Sequence, residues 1–545
     1  MKNKMLLLLL SAVCLSANVF AQPVIKKQKV FGADNTDFFT TMALTKDGGT
    51  IIGGSSNSGI SGDKTEKNRD STGSTDDYWI IKTDSTGTIE WDKTIGGNGN
   101  DILTDIQQTK DGGYLLGGYS ESGKSGDKSG SNYGPVYSPD YWVVKLDSAG
   151  NIQWDKTIGG SDDDYLYSIW QTNDNGYIIG GVSRSNISGN KTENVKGGIF
   201  DSGDYWIVKL NKNGVIEWDK TIGGSSGDGL GDLQQTNDGG YILGGTSSSK
   251  MSFDKTENSR GGQDYWMVKL NKTGVIEWDK TVGGNDEYEN FVSLQQTTDE
   301  GYIIGGYSSS DISGEKTENS RGGYDYWLVK LDSSGNKQLD KTLGGNATDF
   351  FSAVQQTRDL GYIVAGYSDS KISGEKTEES RGDNDYWIVK LDSTGNLQWD
   401  KTIGGNKTDQ CYAITQVKKD VYIVGGLSES NISGDKTKPR KGFVDYWIVL
   451  LNYTTEARAQ TKGNEAFYKK INNKSFIVYP NPAKDILHVQ TTGNATVSLA
   501  DQSGKIILTK TICNKGEINV SHLPAGLYYV KNTTTGKVQK IVITH

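Results

Sequence analysis

Between residues 25 and 451, short apolar runs alternate with polar stretches, and the same order of runs returns seven times. Residues 285–344 show one unit. Phe291–Thr297 (FVSLQQT) is half apolar and predicts a strand with one covered face. Asp299-Glu300-Gly301 turns the chain. Tyr302–Gly306 (YIIGG) is apolar and rich in β-branched residues, which predicts a buried strand. A long polar stretch, Tyr307 to Tyr324, follows. Asp325–Leu331 (DYWLVKL) predicts a third strand, Asp332–Gly335 a turn, and Asn336–Gly344 a fourth strand. The turn closes on glycine in each complete unit (Gly87, Gly150, Gly214, Gly274, Gly335, Gly395), because a tight hairpin needs one residue at positive φ.

The repeat fixes the architecture. Asp-Tyr-Trp ends at Trp79, Trp142, Trp206, Trp266, Trp327, Trp387 and Trp447, spaced by 63, 64, 60, 61, 60 and 60 residues. Four strands in about 60 residues suit a propeller blade with one enlarged loop better than a helical solenoid. The array begins with a lone fourth-type strand, Ile25–Phe31, and ends on a third-type strand, Asp445–Leu451. That offset predicts a ring in which the first strand completes the last blade. The expected fold is therefore all-β: a seven-bladed β-propeller over residues 22–451, closed by an N-terminal outer strand, with a small C-terminal β-sandwich.

The order Gly-Gly, polar loop, Asp-Tyr-Trp-Ile-Val-Lys-Leu-Asp, turn, Trp resembles kelch-type propeller repeats. Leu146-Asp147…Gly150…Trp154 is also similar to the docking motif of quinoprotein-type propellers, with a turn one residue shorter. Both resemblances imply a propeller. Neither carries an activity, since propellers host unrelated functions.

Composition narrows the chemistry. The three histidines, His488, His522 and His545, all lie in the last 60 residues, and Cys411 is the one cysteine between residues 22 and 451. A His-based triad, a His/Cys zinc site and the copper chemistry of kelch-type oxidases are thus excluded from the array. No catalytic, cofactor or metal residue is assigned. Calcium on loops such as Asp162-Asp163-Asp164 is the one ion left open. Asp37, Asp101, Asp164, Asp228, Asp349 and Asp409 recur at one position, which fits a turn or inter-blade hydrogen-bond partner better than a catalyst. Lys64, Lys128, Lys191, Lys255, Lys316, Lys376 and Lys436, in Ser-Gly-Asp-Lys-Thr-Glu or its variants, are expected to order their loops through salt bridges. The array carries a net charge of −18, which argues against nucleic acid or an anionic membrane as partner.

The loops between second and third strands measure 22, 21, 22, 18, 18, 18 and 18 residues. The first three depart from the repeat, and the second and third carry Tyr133, Tyr137, Ile199 and Phe200. These four are the expected ligand contacts, because apolar side chains on a polar loop suit sugar stacking or protein contact.

Both ends read as addresses. Residues 1–21 have a basic start (Lys2, Lys4), a short apolar core and Val19-Phe20-Ala21, so a secretory signal is expected to be cleaved between Ala21 and Gln22. Residues 452–474 read as a linker. Residues 475–545 carry Phe476–Ala483 (FIVYPNPA), Leu499–Lys505 (LADQSGK), Leu523–Val530 (LPAGLYYV) and Lys540–Ile543 (KIVI). Together these resemble the C-terminal sorting domain of the type IX secretion system of Bacteroidota. That resemblance implies Sec export, translocation across the outer membrane, and the secretion machinery as a partner. No stretch is apolar enough for a transmembrane helix. The expected function is a secreted or cell-surface module that binds or displays toward a glycan or protein. The alternatives are an extracellular carbohydrate-active hydrolase or lyase using carboxylates, and a structural component of the surface layer.

Overall fold

The third strand of each unit shows why the sheets stack. Its residues are buried along their whole length in the first six units, so both faces must meet another sheet. The computed structural model describes residues 22–453 and 477–544 apart from 71, 198–202, 287, 480–482, 503 and 534–537. The expected leader and nearly all of the expected linker lie outside the described residues. The chain divides into two units, Gln22–Tyr453 and one containing Thr454–His545. Among the described residues there are strands and no helix, and none of the chain described here is a helix long and apolar enough to cross a membrane.

After β1 (Val24–Phe31), strands β2 (Asp37–Leu44), β3 (Thr50–Ser56), β4 (Asp77–Thr83) and β5 (Ile89–Ile95) form an antiparallel sheet in chain order. Five further sheets repeat that order. The last sheet takes Asp409–Lys418, Val421–Ser428 and Asp445–Asn452 as its first three strands and β1 as its fourth. β1 runs antiparallel to Asp445–Asn452, with Val30 opposite Trp447 and Phe31 opposite Tyr446. The first strand of each sheet lies against that of the next, and Asp409–Lys418 lies against β2. Repeated four-stranded antiparallel sheets of this kind are the building plan of a β-propeller.

Alternation along the third strand divides the core between neighbours. Tyr78 and Ile80 face the next sheet, where they pack with Trp142 and Val144. Trp79 and Ile81 face Tyr446 and Ile448. Each such tyrosine ring lies close to the tryptophan of the following unit, at 5.0 Å for Tyr78–Trp142, and its hydroxyl donates to that tryptophan's carbonyl. Tyr446 makes the same bond to Trp79 O at 3.4 Å.

The diglycine has a steric cause. A Cβ on Gly118 would lie 2.0 Å from Ile102 O and 2.6 Å from Tyr78 Oη, so the second position excludes any side chain. At the first position a Cβ on Gly305 would meet the Phe351 ring at 2.3 Å. The sixth unit has Ala365 there instead. At the matching position of the next sheet stands Cys411, where the other units have Phe or Leu, and the smaller side chain leaves room for the extra methyl. Cys411 is a buried free thiol, and burial pushes it up to about 12.

The last sheet departs from the others where β1 stands in. Asp92 and its counterparts accept the indole N–H of the third-strand tryptophan and anchor the preceding loop through Thr65 or its equivalent. Gln28 occupies that register position in β1. It accepts from Thr437 N at 3.1 Å and donates to Asp435 O, but leaves Trp447 Nε1 buried without a partner. A cavity of about 70 Å³ lies at the same seam, lined in part by Phe31, Ile52, Ile423, Ile448 and Leu450. Replacing Gln28 with Asp restores the missing acceptor. The variant is expected to gain about 1 kcal/mol, read as a higher urea midpoint at unchanged m.

The C-terminal unit differs from the expected sandwich of about seven short strands. Among the described residues five strands pair in one sheet, and two are long: Ile486–Asp501 and Ile506–Asn519. Where short strands were expected, a register shift between Gln490 and Asn494 keeps the long pair continuous. Val478, Leu487, Val497, Leu499, Ile512, Val530 and Ile541 form its core.

Candidate functional site

The expected contact residues have different fates. Tyr133 is 49% exposed, and its ring lies over Gly189 of the next loop. Arginines hold that place in other units: Arg69 pairs with Asp127 at 2.6 Å, Arg260 with Glu315 at 2.6 Å, Arg321 with Glu375 at 2.8 Å and Arg381 with Asp435 at 3.0 Å. Tyr133 and Asn190 thus replace an ion pair between neighbouring loops, which gives Tyr133 a packing role. Tyr137 is 76% exposed and has φ 71°, a left-handed conformation uncommon for a tyrosine. Ile199 and Phe200 lie outside the described residues, as does Ala21 beside Gln22. The first long loop walls an open cleft of about 720 Å³ with Asn57, Lys67, Asp70 and Thr72, and Asp34, just ahead of β2, and Phe443 of the last unit line it too. No sequence feature had marked Phe443, which is 62% exposed.

The loop lysines correct the salt-bridge expectation. All seven are 1–2% exposed, and burial lowers each to about 8. They bond to hydroxyl, amide and carbonyl oxygens, as Lys64 does to Ser56 Oγ and Asn68 Oδ1. Five of them lie 5.0–5.9 Å from the ring of the third-strand tryptophan. Carboxylates act on them from farther away, Asp37, Asp77 and Asp92 in the case of Lys64. They pin the loops from inside and are closed to a ligand.

The recurrent aspartates are hydrogen-bond partners. Asp101 accepts from Gly97 N at 2.6 Å and Ser122 Oγ at 2.9 Å, and the same pair of bonds recurs at Asp164, Asp228 and Asp409. On the open calcium loop, Asp163 pairs with Arg184 at 3.2 Å and Asp164 is buried. Among the described residues no three metal-ligating side chains gather.

Two acids within the first strands do not recur. Asp105 and Asp232 are on first strands, where burial pushes them up to about 7 and about 6. A raised carboxyl is what a general acid needs. Yet Asp105 accepts from Ile106 N and Ile169 N, and Asp232 from Ser168 Oγ, Leu233 N and Leu294 N. All four oxygens are occupied, Asp105 Oδ1 by the next residue of its own strand and the other three in bonds that reach a neighbouring first strand.

What the sequence reading missed lies at the start of the first strands. Their second residue is Phe38, Ile102, Tyr165, Gly229, Asn290, Phe350 or Gln410. Each is paired with the penultimate residue of the second strand, which is Ser55, Tyr119, Val182, Thr246, Tyr307, Tyr367 or Leu427. Around these variable positions the repeat is nearly constant. Tyr119 and Tyr165 meet edge to face at 5.0 Å. A longer run links Tyr324 to Tyr307 (5.2 Å), Tyr307 to Phe350 (5.2 Å), Phe350 to Tyr367 (5.1 Å) and Tyr367 to Tyr412 (6.1 Å). All five rings are half buried. Variation within the repeat was the signal that could have found them.

Residues 477–544 match the secretion system C-terminal sorting domain. That domain marks the chain for export by type IX secretion to the cell surface or beyond. A segment of 159 residues is 26% identical to regulatory protein FlaEY of Caulobacter vibrioides, covering 28% of this chain and 16% of that protein. Among solved structures the chain is similar to Sqt1 from Chaetomium thermophilum, with 9% identity, 79% of this chain and 100% of that chain covered, and a TM-score of 0.40. It is also similar to the PQQ-bound aldose sugar dehydrogenase of Streptomyces coelicolor, with 11% identity, 79% and 99% coverage, and a TM-score of 0.28.

Proposed function

We propose that residues 22–451 form a closed, seven-bladed, kelch-like propeller that works outside the cell as a binding module for a glycan or protein. In this reading a signal ending at Ala21 starts export, and residues 475–545 hand the chain to the type IX machinery. Closure draws support from the pairing of β1 with Asp445–Asn452 and from the Tyr446–Trp79 bond, which matches its six counterparts. Binding rests on one observation: aromatic side chains vary from unit to unit at the start of the first strands while the scaffold around them stays constant. Hydrolysis by carboxylates is the second reading. Asp105 and Asp232 favour it by their raised protonation, but the strand bonds they make leave it behind binding. The test is a glycan and surface-protein array probed with the secreted protein. Selective retention by at least one class is expected, and uniform absence of retention would refute the reading.

Export makes a separate prediction. A chain ending at Asn452 is expected to stay within the cell envelope of its host, with the secreted fraction falling to background in an immunoblot of the medium and cell surface. Normal secretion of that truncation would remove residues 475–545 from the export route.

A further inference from the structure

We propose that Tyr307, Tyr324, Phe350, Tyr367 and Tyr412 form a single subsite for a neutral glycan chain, an inference that rests on the binding role above. The five rings come from three consecutive sheets, so they form one surface across two sheet junctions. Tyr307 and Tyr367 are on second strands, Phe350 and Tyr412 on first strands, and Tyr324 immediately precedes a third strand. Rigid strands hold them, which limits the ordering cost of binding.

Three features select the ligand class. The rings are half buried, so each presents part of an apolar face while its neighbours fix its orientation. The hydroxyls of Tyr307, Tyr324 and Tyr367 make no hydrogen bond within the described residues, which leaves donors and acceptors beside the apolar faces. Tyr412 Oη donates to Gln410 Oε1 at 2.9 Å, and Asn290, opposite Tyr307, adds an amide at the edge. A sugar ring offers this combination in mirror form, with C–H faces flanked by hydroxyls. An apolar peptide would leave the phenols unpaired.

Charge separates neutral from acidic sugars. Beside the other aromatic pair stand Asp163 and Arg184; in the sheet carrying Phe350 and Tyr367 the place of Arg184 is taken by Asp369, which accepts from Thr348 N at 2.7 Å. An acidic glycan would meet that carboxylate and the negative charge of the array, which disfavours it.

The experiment uses the full secreted protein with cello-, xylo-, manno-, laminari- and chito-hexaose as neutral probes and hexagalacturonate as the acidic one, read by isothermal titration calorimetry. Saturable binding of at least one neutral probe and none of hexagalacturonate is expected. Tyr307→Ala and Tyr367→Ala should each weaken it by about tenfold or more. Tyr307→Phe and Tyr367→Phe keep the ring, guard against misfolding and should lose less. Tyr133→Ala, in the corresponding loop of the second unit, should leave affinity unchanged. If no neutral probe binds, or if the Tyr307 and Tyr367 variants with intact folds bind as the parent does, the inference is overturned. Retention of a surface protein on the array without sugar binding would overturn this subsite alone and leave the binding role standing.

Discussion

Removing residues 22–31 should abolish the native fold or lower its thermal midpoint by about 10 °C or more. β1 is the fourth strand of the last sheet, and without it the edge of Asp445–Asn452 loses every partner on one side. Val30 and Phe31 are 9% and 4% exposed, and Phe31 packs in one core with Trp79, Tyr446 and Ile448. Gln28 also ties down the last loop through Thr437 N and Asp435 O. The deletion therefore removes sheet pairing, core volume and a loop anchor together. Differential scanning calorimetry of the deleted and parent proteins measures it. An unchanged midpoint would mean that β1 is an ornament on a ring held by other contacts.

Stability should pass through a minimum near neutral pH, the reverse of ordinary behaviour. At several sheet junctions a third-strand aspartate faces the recurrent acid of the next sheet. For Asp77 burial is the main influence, Asp101 adds repulsion, and Lys64, Arg69 and the Arg69 N–H oppose them; the result is a rise from 3.8 to about 7. Asp101 rises to about 6, mainly through burial, against bonds from Ser120, Gly97 and Ser122 and the charge of Lys128. Asp140 with Asp164 and Asp325 with Asp349 repeat the arrangement, Asp140 and Asp325 reaching about 7. Between about pH 4 and 7 the folded chain then holds protons that the unfolded chain has lost, so stability falls as pH rises. Each pair contributes on the order of a few kcal/mol to that fall. The buried lysines, lowered from 10.5 to about 8, make the folded chain release protons first above pH 8, and stability recovers there. Below about pH 4 the gain ends, because Asp47 and Asp174, held down at about 2 by bonds to Lys82, Thr45, Thr172 and Lys209, begin to lose their charge. Urea midpoints from pH 4 to 10 should be highest near pH 4–5.5 and lowest near 7–8. A single maximum at pH 7 would contradict these buried acids, and Asp101→Asn should flatten the acid limb by one proton.

The strand order was legible because the repeat compares the chain with itself. Glycines at the third-to-fourth strand turn have φ from 69° to 83°, as the hairpin demanded. The register of β1 followed from the offset between the ends of the array. Burial was not legible in the same way. Lys64 in a polar loop reads as an exposed cation, and nothing in Ser-Gly-Asp-Lys-Thr-Glu reveals that its ammonium lies near Trp79. Loop length drew attention to Tyr133, whose role depends on the glycine of the following loop. Tyr307, Phe350 and Tyr367 escaped notice because an aromatic residue inside a strand looks like core until its neighbours across two sheets are known.

The proposed closure of the ring is tested most directly by a cross-link between β1 and Asp445–Asn452. In a full-length Cys513→Ser background, Lys27→Cys and Leu450→Cys place two thiols at directly opposed positions of β1 and Asp445–Asn452, which are 423 residues apart in sequence. Mild oxidation of the folded protein should give one disulfide within each molecule, seen by intact mass and peptide mapping, and a higher thermal midpoint than the reduced form, because so long a closed loop strongly restricts the unfolded chain. Thiols that stay reduced in the folded protein, or that pair only between molecules, would contradict closure through the first strand.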